Sequence, residues 1–373
     1  MERAPLDLAR DLAAALAPTA ADADARGAMP ATDVDHLRAS DYLRLALPRA
    51  HGGAEVTLET QVAAHQIVAA GSAATALVAA MTAMVVGTAR DSAAWAHERE
   101  RVFALVAGGA LVNVVASEAE LGSPSGGGTP RTALTRAGDH YVLDGRKTWA
   151  TGGRHLTHLF VLAQGPEGPV TVAVANHAPG VAWLATWGDG LSLRGSESHD
   201  VSFTRVRVDA DQVLSLQPTA PHERPNAWFT ALVAATYLGT ARAARDAVID
   251  FALDRVPSGL GAPIATLPAV RRQIGELDAA LAPAEAQLSK AARAWDERRD
   301  VLPLTLAKHV AVEAALRVTE GALRVAGGAG LDRRLPLERH FRDARAGLGH
   351  PPKGDALLER LGAAAIEARS VAR

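Results

Sequence analysis

His155 and His158 are spaced as a metal-binding pair could be, and Glu197 and Asp200 stand close together farther along the chain. On a strand, side chains three apart point to opposite faces, and no third ligand lies nearby, so no metal site is expected. Glu197 and Asp200 read as surface or structural carboxylates. The chain has no cysteine, which excludes disulfides, thiolate metal sites and a cysteine nucleophile. A serine nucleophile elbow is missing too, because Pro124 occupies the central place between Gly122 and Gly126. No phosphate-binding P-loop occurs, and no Gly-x-Gly-x-x-Gly follows a strand to open a helix. Histidine is the commonest general acid or base near neutral pH. His350, directly ahead of Pro351 and Pro352, could serve in that way or could be an ordinary loop residue before a Pro-Pro turn.

The elements that must position these residues fall into three zones. The chain has 373 residues, enough for two or three domains sharing substantial cores. Its net charge of -2 carries no footprint for nucleic acid, and its charged residues are spread as on a globular surface. Residues 1–111 are helical in pattern, rich in Ala and Leu, with a break at Leu47-Pro48-Arg49-Ala50-His51-Gly52-Gly53 and a new helix starting near Leu58. The apolar stretch at 73–86 is shorter than the roughly 20 residues a bilayer span needs, so a buried helix is expected and no membrane span. No signal peptide is expected, since the first ten residues already read as a charged amphipathic helix. A cytoplasmic location fits the lack of cysteine.

Residues 112–216 change texture to short runs of β-forming residues between turn residues. Strands are expected at 141–143, 147–149, 159–162, 170–174, 181–184 and 201–203, with Asp144-Gly145 as a hairpin turn. Residues 217–373 return to helical periodicity in long segments near 227–255, 267–297, 302–325 and 356–372, which suggests an antiparallel four-helix bundle. The expected fold class is α+β, with a helical domain, a β-barrel-like domain and a helical bundle in that order.

A series of segments, in order, resembles the acyl-CoA dehydrogenase family. Ala116-Ser117-Glu118-Ala119-Glu120-Leu121-Gly122-Ser123 resembles its Thr-Glu-Pro-Gly-Ala-Gly-Ser segment. The run from Asp144 through Lys147, Thr148, Trp149 and Thr151 to Gly152 resembles its Gly-x-Lys-x-Trp-Ile-Thr-Asn segment. Leu193-Arg194-Gly195-Ser196 resembles its Arg-Gly-Ser strand pair, and Arg255, Gly327-Gly328-Ala329-Gly330 and Phe341-Arg342-Asp343-Ala344 complete the set. The resemblance covers most of the chain and implies the same α, β, α order.

It also implies FAD and a set of residues to hold it. A flavin ring needs a flat apolar wall, polar groups near N1, O2 and N5, and donors for its pyrophosphate. By this resemblance Trp149 would supply the wall, Thr151 a hydroxyl near N5, Ser117 a contact to the pyrimidine edge and Ser123 one to the pyrophosphate. Arg255 and the Gly327-Gly328 turn would bind the adenosine half from a neighbouring subunit, which implies a homodimer or homotetramer. Glycines there would let backbone approach a phosphate closely, although Gly-Gly-Ala-Gly after a helix also suits a plain C-cap. The segment at 119–124 departs from the family's pattern, which bears on Ser123.

The family's chemistry removes a proton α to an acyl thioester while hydride passes to the flavin, and a carboxylate takes that proton. Counting from Arg342-Asp343, Pro351 falls where most members carry this glutamate. Counting back from Leu238-Gly239, Phe229 falls where a minority place it. Neither offers a carboxylate, and His350 becomes the catalytic candidate. Residues 341–352 also resemble flavin-dependent monooxygenases of this fold, which use a histidine and a nearby hydroxyl. Ala150 stands where several of those carry serine, with Thr151 adjacent. The expectation placed first is oxidation of an acyl thioester. Monooxygenation by reduced flavin and O2 comes second, and an inactive relic of the fold with a binding role third.

Overall fold

The computed structural model describes residues 3–91, 98–120, 128–214 and 226–371. Its first six helices are α1 (Pro5–Leu16), α2 (Ala20–Arg26), α3 (Ala31–Ala39), α4 (Leu58–Gly71), α5 (Ala73–Asp91) and α6 (Arg99–Ala107). Proline at the first position starts α1, where a missing N–H costs nothing. The expected break before α4 consists of two short 3-10 turns, Asp41–Arg44 and Arg49–His51. By length and composition α5 could cross a membrane, yet it is buried within the protein along nearly all of its length.

Eight strands follow: β1 (Val112–Val115), β2 (Ala133–Ala137), β3 (His140–Ala150), β4 (His158–Gly165), β5 (Gly168–Ala175), β6 (Val181–Leu184), β7 (His199–Val208) and β8 (Val213–Leu214). They form one sheet in the order β6-β7-β3-β2-β4-β5-β8, with β1 parallel beside β4. The hairpin expected at Asp144-Gly145 is not there. Those residues lie inside the single long strand β3, as an irregularity where its register against β7 shifts. Gly145 has φ +150°, and a Cβ on it would come within 2.6 Å of Thr132. Asp144 is occupied in accepting the Arg205 N–H at 2.8 Å across the sheet. The extra residue of the bulge is on β7, where Thr204 and Arg205, the latter at φ +50°, stand opposite Asp144 alone, and glycine at 145 leaves room for Thr132. The actual hairpin turn joins β2 to β3 around Gly138. His155 and His158 do not share a strand: His155 ends a 3-10 turn, Gly153–His155, and only His158 is in β4.

The C-terminal helices are α7 (Ala227–Asp254), α8 (Pro268–Arg298), α9 (Leu302–Ala326), α10 (Leu337–Ala344) and α11 (Gly354–Val371). Antiparallel pairing of α7 with α8 is visible in the ion pairs Arg242–Glu285 and Arg245–Asp278. Helix α7 is apolar on most of its circumference, which only a central element can satisfy. It is indeed surrounded by α4, α5, α8 and α9. One continuous core runs from Leu58 and Met81 through Val112 and Phe160 to Trp228, Tyr237, Leu288 and Leu304. Helix α11 is different, with Leu357 buried while Leu358 and Ile366 are exposed.

Candidate active site

His350 follows α10 and a 3-10 turn, Arg345–Leu348. Its Nδ1 shares a short hydrogen bond with the phenol of Tyr237, which is fully buried on α7. Its ring also meets Phe229 edge to face, with centroids 6.2 Å apart and planes at 81°. Enclosure pushes the imidazole down to about 4, and the nearby Lys308 ammonium pushes the same way, so His350 is neutral at physiological pH. Burial, and then Asp343, push the Tyr237 phenol well above its usual value. That phenol has no other hydrogen-bond partner among the described residues. A buried O–H left undonated is costly, so Tyr237 donates to Nδ1 and the ring proton resides on Nε2. The Nε2 atom has no partner among the described residues.

The two places where a carboxylate was looked for turn out to be one place. Phe229 packs on His350, whose next residue is Pro351. Asp343, on α10, is committed elsewhere: it accepts the Leu193 N–H at 2.6 Å. Burial raises it to about 6. With the bond from Ser192 to the Arg342 carbonyl, this contact locks the Arg-Gly-Ser segment onto α10.

A second group lies at the edge of the sheet. The Thr148 N–H donates to the Ser117 carbonyl at 2.9 Å, which holds the Ser117 segment beside β3. Beneath it, Lys147 and Glu118 form a buried ion pair at 2.6 Å. Glu118 also accepts from the Arg131 and Thr132 N–H groups and the Thr132 hydroxyl. Trp149 has φ +56° and is 54% exposed, unusual for the largest apolar side chain. The Thr151 hydroxyl is buried and bonded to Ser198 at 2.9 Å, and Ser198 to Ser196 at 2.8 Å. Ser123 lies outside the described residues.

A third group sits at one end of the bundle. Arg255 caps α7 with its side chain exposed and, among the described residues, without an ion-pair partner. Gly327 ends α9 at φ +58° and ψ −139°, a conformation essentially reserved for glycine. A Cβ added at Gly327 or Gly328 would meet nothing. Both α7 and α9 run antiparallel to α8, so Arg255 and the glycine turn share an end. Arg255 lies eighteen residues beyond Tyr237, about 27 Å along α7. It cannot serve the His350 end of its own chain.

Matches to models of the acyl-CoA dehydrogenase N-terminal, middle and C-terminal domains span residues 2–109, 113–206 and 231–351. The chain belongs to the acyl-CoA dehydrogenase family. It is 35% identical to YdbM of Bacillus subtilis (strain 168), whose name carries a provisional acyl-CoA dehydrogenase assignment, over 94% of this chain and 93% of that one. Butyryl-CoA dehydrogenase from Megasphaera elsdenii superposes with a TM-score of 0.86 at 23% identity, covering 97% of each chain. FMN-bound TdsC from Paenibacillus sp. A11-2 superposes with a TM-score of 0.85 at 23% identity, covering 96% of each. This acyl-CoA dehydrogenase-type protein is a flavoprotein oxidoreductase, and a flavin is its cofactor.

The residues of this family member fit that cofactor. The exposed Trp149 ring offers a flat apolar surface, with Thr151 and the Ser117 segment beside it. The open backbone at Gly327 and Gly328 and the exposed Arg255 guanidinium suit a phosphate or ribose. Sequence reasoning found these positions but missed Tyr237, Lys308, Ser198 and the Lys147–Glu118 pair. Tyr237 was signalled by falling eight residues after Phe229, on the same helical face. Lys308 was signalled as a lone cation within an apolar helical run.

Proposed function

We propose that this flavoprotein is a monooxygenase of the acyl-CoA dehydrogenase fold, using reduced flavin and O2. The observation that carries the reading is the bond from the Tyr237 phenol to His350 Nδ1, at the spot where both base positions lack a carboxylate. A base for an α-proton needs a free lone pair, and the free nitrogen here bears hydrogen instead. An N–H in a neutral, enclosed imidazole is suited to donating to an oxygen that gains negative charge. When bound, reduced flavin supplies two electrons to O2, so that one oxygen atom enters the substrate and the other leaves as water. His350 would hold the proton at Nε2, Tyr237 would keep it there, and Phe229 would exclude water. Ser117, Trp149 and Thr151 would hold the ring of one flavin while Arg255, Gly327 and Gly328 of a second copy hold its adenosine half. This arrangement makes a homo-oligomer, dimer or tetramer, the working unit.

Oxidation of an acyl thioester is the second reading, favoured by the identity to YdbM over nearly the whole chain. It would need the opposite imidazole tautomer. Anaerobic titration of the flavin-loaded protein with short, medium and long acyl-CoA separates the two. The monooxygenase reading expects no bleaching with any of them, and oxygen uptake when reduced flavin and substrate are supplied. Bleaching by one chain length would replace it with the dehydrogenase reading.

A further inference from the structure

Lys308 stands on α9 with 2% of its surface exposed, and no carboxylate accompanies it among the described residues. Its ammonium donates instead to three backbone carbonyls, those of Gly347 at 3.1 Å, His350 at 2.6 Å and Pro352 at 3.3 Å. All three belong to the one turn that carries His350. An ammonium has three donors, and here each has an acceptor. The turn has need of them, because Pro351 and Pro352 bring no N–H and cannot satisfy neighbouring carbonyls. Burial lowers Lys308 to about 8, which leaves it charged at neutral pH. A buried cation without a counter-charge is costly, and an apolar side chain would fill the space at less cost.

We propose that Lys308 is a positioning residue for His350, fixing the backbone on both sides of it so that the imidazole meets Tyr237 and Phe229 in one orientation. This rests on the reading of His350 as the proton-handling group, and it adds the device that aims it. The ionisable groups packed on the imidazole are Tyr237 from α7 and Lys308 from α9.

The test reads the imidazole directly, in flavin-free protein carrying 15N-labelled histidine, with the His350 signal identified by its loss in His350→Asn. The parent should show one tautomer, protonated at Nε2. In Lys308→Met the signal should become a tautomer mixture, with its titration midpoint rising from about 4 toward 6.5. An unchanged His350 signal in folded Lys308→Met overturns the proposal. Should that variant not fold, Lys308→Arg keeps the charge but not the three converging donors, and the same signal decides. The parent alone gives a further check: its Lys308 ammonium protons should exchange slowly with water and couple to the three carbonyls. Fast exchange there overturns the clamp. A failed oxygenation assay would count against the proposed reaction only, because none of these readings uses flavin.

Discussion

Tyr237 and His350 share one buried hydrogen bond, from the phenol to Nδ1, and it fixes which nitrogen of the imidazole is left without a partner among the described residues. If that nitrogen does the chemistry, His350→Ala should lower turnover about 10²- to 10⁴-fold with flavin still bound. Tyr237→Phe leaves Nδ1 free, and should lower turnover less while costing about 1–3 kcal/mol of stability. Steady-state rates and urea unfolding of both variants check this. Full turnover in His350→Ala would remove His350 from the mechanism.

Phe229 packs edge to face on His350, so a carboxylate at 229 would occupy the spot where the family's base belongs. Phe229→Glu should therefore gain what the parent lacks, anaerobic flavin bleaching by an acyl-CoA. Burial should raise the new carboxyl above its usual value, as suits a base working near neutrality. Losing the aromatic ring should cost about 3–5 kcal/mol. A folded, flavin-loaded variant that no acyl-CoA bleaches would place residue 229 away from the reacting carbon.

Acid should unfold the protein early. Burial pushes His65 and His340 down to about 3 and His350 to about 4, whereas each titrates near 6.5 when unfolded. The unfolded chain then binds more protons below pH 6.5, so stability is complete above that value and falls with pH down to about 4 for His350 and about 3 for His65 and His340. Each histidine contributes up to about 1.4 kcal/mol per pH unit. Asp343, raised to about 6, works in the opposite direction between about pH 4 and 6 but offsets only one of the three. Urea midpoints at pH 7.5, 6 and 5 should decline steadily. Equal midpoints across that range would contradict the buried neutral histidines.

Glu118→Gln should cost about 3–5 kcal/mol, because it strands the Lys147 ammonium in the interior. The double variant Glu118→Gln, Lys147→Met should recover part of the loss. Because the pair underlies the Ser117 segment, flavin should be held more weakly in both. Calorimetry with flavin retention on gel filtration measures the two effects, and an unchanged melting temperature in Glu118→Gln would show the pair to be dispensable.

Arg255→Ala should leave the flavin-free protein as stable as its parent, since the exposed guanidinium has no ion pair among the described residues to lose. Flavin affinity should fall about tenfold, the loss of one charge-assisted contact. Fluorescence titration reads this. Unchanged affinity would undo the idea of a cofactor site completed by a second copy.

The order of helices, sheet and bundle was legible because each zone holds one hydrophobic period over long stretches. Asp144-Gly145 misled because a glycine kept for close approach to Thr132 beside a bulge on β7 looks, in sequence, like a turn glycine, and only the partner strand tells them apart. His350 was legible from its place in a motif. Tyr237 and Lys308 were not, since their roles depend on contacts between α7, α9 and the following turn that no local pattern reports. Nor does spacing reveal that Leu193 and Asp343, in two separately recognisable segments, hold each other.

The central place of α7 has a consequence for how the molecule comes to exist. The N-terminal end of α4 is capped by Asp296, 238 residues beyond Leu58, and His65 in its interior bonds Thr236, 171 residues away. At about 5–20 residues per second, a ribosome needs about 10–30 s to deliver that threonine. For the later part of that interval α5, apolar enough to pass for a membrane span, has been made and the helix that will cover it has not. The early part of this chain therefore leaves the ribosome with an apolar face that only its own C-terminal half can cover.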